Sequence, residues 1–181
     1  MKTQLFKTKM KIGIISDTHS YLDPQVKTYF KDCDQLWHAG DIGSVEVADE
    51  LEAFKPTVFV YGNIDDQKMR VRYPKNQIFE CEGLKVFMTH IGGYPPNYKP
   101  EIRKELDEIK PRIFVCGHSH ILKIMPDTKR NLIHFNSGAA GKHGFHHIRT
   151  LIRLEINQAK ITNVEVIELG KRGTITDEDD V

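Results

Sequence analysis

The sequence predicts an α/β domain built around a mainly parallel sheet. Short apolar runs alternate with helix-patterned segments through the first sixty residues, and each run breaks off into Gly, Asp, Asn or His. The chain of 181 residues is long enough for one core without covalent staples.

Ile12 to Ile15 is an apolar run closed by Ser16-Asp17-Thr18-His19, which predicts a buried strand ending in a loop. Residues 1 to 9 form a polar leader ahead of it. Pro24 opens a short helix through Phe30, since proline is tolerated in a first turn. Leu36 to Ala39 is a second strand, stopped by Gly40-Asp41. Ser44 is an N-cap followed by Val45, Val47, Ala48, Leu51 and Phe54 at helical spacing, and Pro56 ends that helix. Thr57 to Tyr61 is a third strand.

Gln77 to Cys81 and Lys85 to Thr89 flank Glu82-Gly83, the signature of a tight hairpin. Pro100 to Lys110 predicts an amphipathic helix with Ile102, Leu106 and Ile109 on one face. Ile113 to Cys116 is another buried strand. Leu122 to Met125, Leu132 to Phe135, Leu151 to Ile156 and Ile161 to Leu169 are expected as antiparallel strands. Residues 171 to 181, ending in Asp177 to Asp180, are expected to form a flexible acidic tail. The folded domain is placed at 10 to 170.

With 26 Lys+Arg against 25 Asp+Glu the net charge is +1, so no global field draws the molecule to nucleic acid or anionic membrane. Any phosphate binding is therefore local, and a nuclease on long nucleic acid lacks its basic stripe. Cys33, Cys81 and Cys116 are odd in number and lack C-x-x-C pairing, which suits reduced thiols. No signal-peptide core and no membrane-length apolar run is present, so the expected location is the cytoplasm.

Metal-ligand residue types sit at the strand ends: Asp17 and His19, Asp41, Asn63 and Asp65, His90, His118 and His120. Each is unremarkable alone. Their recurrence at the same end of successive strands points to one site, because functional loops of such sheets follow the carboxyl ends. Other phosphatase chemistries fail. C-x5-R would need Arg at position 122, which is Leu122, and the nucleophilic D-x-D pattern meets Asp32-Cys33-Asp34 with Gln35 next. No Walker loop is present.

The ordered motifs Asp17-Thr18-His19, Gly40-Asp41, Gly62-Asn63-Ile64-Asp65, His90 and Gly117-His118-Ser119-His120 resemble those of the calcineurin-like metallophosphoesterases, specifically the small YfcE-like phosphodiesterase branch. The resemblance covers Met10 to about Leu169. It implies a four-layer αββα sandwich of two mixed sheets, with a dinuclear metal site at the strand C-terminal rim. One metal would be held by Asp17, His19, Asp41 and His120, the second by Asp41, Asn63, His90 and His118. Asp41, Asn63 and His90 would be catalytic, Asn63 and His90 also binding substrate.

Imidazole, carboxylate and amide without thiolate point to Mn²⁺, Fe, Co²⁺ or Zn²⁺ rather than Ca²⁺ or a structural zinc, and the resemblance implies two such divalent ions, Mn²⁺ first, with Fe, Co²⁺, Zn²⁺ and Ni²⁺ behind it. The implied reaction is hydrolysis of a small phosphate ester, most of all a diester, by in-line attack of a metal-bridging hydroxide. The alternative is a protein-binding scaffold similar to the retromer subunit of the same fold. Homodimers or larger homo-oligomers are implied by relatives.

The chain departs from the pattern twice. Many members have His where this one has Ile64, a position proposed to assist the leaving group. Asn136-Ser137-Gly138 replaces Asn-Pro-Gly-Ser, and the following Lys142, His143, His146, His147 and Arg149 are expected mainly as a solvated basic loop, with phosphate contact the alternative. His38 and His134 are expected to pack or hydrogen-bond within strands.

Overall fold

The computed structural model describes residues 9–173. Its elements are β1 Lys9–Ile15, α1 Gln25–Phe30, β2 Gln35–His38, α2 Val45–Phe54, β3 Thr57–Phe59 and α3 Gln67–Arg72. β4 Asn76–Cys81, β5 Leu84–Thr89, β6 Gly93–Tyr94, β7 Asn97–Tyr98, α4 Pro100–Ile109 and β8 Ile113–Cys116 follow. β9 Leu122–Asp127, β10 Leu132–Ser137, β11 Ile148–Asn157 and β12 Lys160–Lys171 complete the fold.

Two five-stranded sheets form, in the orders β12-β11-β1-β2-β3 and β4-β5-β8-β10-β9. In the first, β1, β2 and β3 run parallel out to one edge while β11 and β12 pair antiparallel on the other side; in the second, β5, β8 and β10 run parallel between the antiparallel edge strands β4 and β9. The βαβ alternation therefore accounts for β1, β2 and β3 and for β5 and β8 across α4, while β10 joins β8 in parallel by way of β9. The hairpins at the other edges make both sheets mixed, and β10 pairs parallel with β8 as well as antiparallel with β9.

Side chains alternate across the strands, and the central strands β1, β2, β5 and β8 are buried on both faces. Ile12 and Ile14 of β1, Trp37 of β2 and Ile152 of β11 meet Val86 and Met88 of β5 and Val115 of β8 in the layer between the sheets. The intervening residues point outward: Ile15 and Leu36 pack with Phe30, Ala48, Leu51 and Met69 from α1, α2 and α3. Phe87 and Phe114 pack with Ile102 and Leu106 of α4. The result is the four-layer αββα sandwich, with helices outside two packed sheets.

Several details differ from the sequence reading. β3 stops at Phe59 because the chain leaves the sheet early: the Tyr61 N–H donates to the Pro74 carbonyl. Helix α3 was not expected. Asp66 caps it through the Met69 N–H at 3.0 Å, but only Met69 among its residues is buried, so no apolar stripe announces it. β9 continues through Pro126, tolerated because β9 lies at a sheet edge. Lys9 pairs with Asn157 and Lys171 with Ile148, so the sheet extends one residue beyond each proposed boundary. The rest of the leader, 1–8, and residues 174–181 of the acidic tail lie outside the described residues.

Candidate metal centre

Parallel strands in both sheets bring their C-terminal ends to one rim. Asp17 and His19 follow β1, Asp41 follows β2, Asn63 follows β3, His90 follows β5, and His118 and His120 follow β8. These loops turn sharply. Asp17, His19, Asp41, His118 and His120 have φ of 54°, 45°, 53°, 69° and 56°, in the left-handed region that L-residues avoid. Each such residue costs on the order of 1–2 kcal/mol, so surrounding bonds must hold it.

They are present: Asp17 N–H donates to the Gly40 carbonyl, His19 N–H to the Asp41 carbonyl, and Gly141 N–H to the Asp17 carbonyl, each at 3.0 Å. Close approach also demands a missing side chain at position 62. A Cβ there would lie 2.0 Å from Asp41 Oδ1.

The side chains converge in two groups that share Asp41. Within Asp17, His19, Asp41 and His120, and within Asp41, His90 and His118, the ligating atoms all lie within 4.8 Å of one another. His120 Nε2 is 3.3 Å from Asp17 Oδ1 and 3.3 Å from His19 Nε2. His90 Nε2 is 3.2 Å from Asp41 Oδ1 and 3.1 Å from Asn63 Oδ1, which brings Asn63 to the second group. His90 Nδ1 donates to the Ala39 carbonyl at 2.7 Å, which orients the ring with Nε2 turned inward toward Asp41 and Asn63.

Asp17 and Asp41 are buried. Asp17 accepts the Ser16 hydroxyl at 2.5 Å and the His118 N–H at 3.1 Å, and Asp41 accepts the Ile64 N–H at 3.1 Å. Burial raises the Asp41 carboxyl, but the hydrogen bond from His90 and its charge outweigh this, and the net shift is down. Burial lowers His90, yet Asp41 and Asp17 reverse it and the net shift is up. Burial first, and neighbouring histidines second for His118, lowers His19 and His118 despite the carboxylates. Buried carboxylates facing several imidazoles form a donor set that fits divalent transition metals.

Neighbouring residues position these groups. His38, pushed down to about 4 by burial, accepts the Gly40 N–H on Nδ1 and contacts the Thr18 hydroxyl through Nε2 at 3.0 Å, tying the first two loops together. Asp65 turns away from the centre and accepts the Gly43 N–H at 2.8 Å and the Gly62 N–H at 2.7 Å. Asn136 Nδ2 donates to the Gly117 carbonyl at 2.8 Å.

The loop after β10 divides. His143 tilts over His19, with ring centroids 5.0 Å apart, and His146 meets His120 edge-on at 5.3 Å. Arg149 instead turns inward to a buried pair with Asp23 at 2.5 Å, and Lys142 lies over the Tyr21 ring. So this stretch is not simply a solvated loop: part of it walls the centre. Ile64, Ile121 and Phe145 line the same cleft, and the latter two carried no signal in the sequence because only the fold joins them to the motifs.

A four-layer sandwich with this donor cage at its strand ends defines the metallophosphoesterase class of protein. The chain belongs to the calcineurin-like phosphoesterase superfamily, whose domain model matches residues 10–159. It is 33% identical over 116 residues to a probable metallophosphoesterase of Methanothermobacter thermautotrophicus, covering 61% of this chain and 67% of that one. A phosphodiesterase of Methanocaldococcus jannaschii is 29% identical over 128 residues, covering 61% and 74%. Among solved structures, a predicted phosphoesterase of Streptococcus pneumoniae matches with TM-score 0.69 and 22% identity over 88% of this chain and 90% of that one. Vps29 of Entamoeba histolytica, complexed with Zn²⁺, matches with TM-score 0.69 and 17% identity over 91% and 100%. The last two likenesses concern the fold.

Proposed function

We propose that the chain is a phosphodiesterase acting on small phosphate diesters with two divalent transition-metal ions, Mn²⁺ foremost. Its support is the sharing of Asp41 between two donor groups at one rim. Asp17, His19, Asp41 and His120 would hold one ion, and Asp41, Asn63, His90 and His118 the other. The phosphoesterase domain would occupy residues 10–170. No helix among the described residues is long and apolar enough to cross a membrane; cytoplasmic action is part of the proposal.

When bound, such a pair supplies a water of lowered pKa and positive charge for the phosphoryl oxygens. The chain contributes orientation. Asp41 is held by the Ile64 N–H, and His90 is held in orientation by the Ala39 carbonyl. Asn63, with Oδ1 toward His90, has its amide N–H₂ end for a phosphoryl oxygen. Ile64 offers no proton to a departing alkoxide.

The scaffold reading draws on the Vps29 fold. Because one Vps29 is described with Zn²⁺, metal content does not separate it from an enzyme. The test is turnover: a panel of diesters and monoesters against protein stripped by chelator and reconstituted with each metal. Chelation should abolish diester cleavage and Mn²⁺ restore it. Full activity in excess chelator, or metal uptake with no turnover of any ester, overturns the proposal.

A further inference from the structure

Resting on that reading, we propose that Ile64, Ile121 and Phe145 form a subsite for a flat aromatic group on one ester arm, so that the preferred diesters carry such a group. The three residues arrive from separate loops, after β3, after the His118–His120 turn and between β10 and β11. They are 45%, 58% and 100% exposed, and all line one cleft of about 380 Å³ with His19, His118 and His120. Single exposed apolar residues are ordinary. Three large ones at the lip of a cleft built from charged and polar donors are not accounted for by core packing.

Phe145 is placed there by its neighbours. His146 Nε2 lies 3.0 Å from the Gly141 carbonyl, and Gly144, at φ +121°, leaves only 2.1 Å between a would-be Cβ and His120 Nδ1. The loop is thus pressed against the cage with the Phe145 ring at its edge. The imidazoles of His143 and His146 add further aromatic surface, which favours a planar group over a branched one. No Lys or Arg lines this cleft, so beyond the phosphate it offers no fixed positive charge to an anionic arm. The neighbouring cleft beyond Asn63 and His90 carries Arg70, Lys75 and Glu101 and suits a polar arm.

The test uses two stable diester mimics with the same charge, methyl phenylphosphonate and methyl methylphosphonate, titrated calorimetrically into Mn²⁺-reconstituted protein. The phenyl compound should bind about five- to tenfold tighter, the ratio expected for one aromatic contact plus partial burial. Phe145→Ala, at a fully exposed position, and Ile121→Ser should together reduce the ratio to about twofold while leaving binding of the methyl compound unchanged; Lys104→Ala, on the exposed face of α4 and outside both clefts, should not move it. Equal affinities in wild type, or an unaltered ratio in the double variant, overturn the subsite. Binding of neither compound overturns the phosphodiesterase reading beneath it.

Discussion

His134 offers a stability test that is independent of catalysis. It lies on β10 between the Phe114 ring at 5.5 Å and the Tyr98 ring at 6.4 Å, is 1% exposed, and neither ring nitrogen has a hydrogen-bond partner. Burial, aided by Lys123, lowers it from 6.5 to about 4. The folded protein therefore resists protonating this ring, while the unfolded chain protonates it near pH 6.5. Its stability contribution is complete above the unfolded value and is lost as the pH falls toward 4. A gap of roughly 2.5 units at about 1.4 kcal/mol each comes to about 3.5 kcal/mol.

Phe at this position removes both unpaired nitrogens and stacks among existing rings. His134→Phe should be at least as stable as wild type at pH 7.5, and its advantage should widen by about 2–3 kcal/mol by pH 4.5. Urea denaturation of both proteins in excess chelator, at four pH values, measures this. His38, also at about 4, is common to both and cancels. A difference between the two proteins that stays constant with pH would falsify the burial account.

Asp41→Asn should lower kcat more than any other conservative change in the cage, by more than about 100-fold, because it weakens both donor groups; steady-state rates on an aryl diester decide, and a loss no larger than that of Lys142→Ala contradicts it. Asp65→Asn keeps one acceptor but turns an N–H₂ toward a backbone N–H, so thermal melts should show a loss of about 2 kcal/mol with intact folding. Wild-type rates should fall steeply as leaving-group pKa rises across a series of diesters, and Ile64→His should flatten that slope; a flat wild-type slope at the chemical step means another residue supplies the proton.

The parallel strands, both long helices and the hairpin at Glu82-Gly83 were legible because apolar period, caps and breakers agreed at each. The grouping of Asp17, Asp41, His90 and His118 was legible through motif order, since each loop announces itself locally. Asp65 shared that local signature but faces away, which only the hydrogen bonds from Gly43 and Gly62 reveal. Helix α3 hid because it buries one side chain. The rim formed by Ile121 and Phe145 hid because exposed apolar residues acquire meaning only from what stands beside them.

The cage draws Asp17, Asp41 and Asn63 from one sheet and His90, His118 and His120 from the other. It therefore behaves as a gauge of the spacing between two slabs, set by the apolar filling of Ile14, Trp37, Met88 and Val115. Met88 lies two residues before His90, and Val115 three before His118. A methyl lost from that filling would leave a cavity that relaxation fills only in part, and any settling of one slab would shift one half of the donor set against the other. Repairing or retuning such a centre is thus as much a matter of interior carpentry as of the ligands themselves.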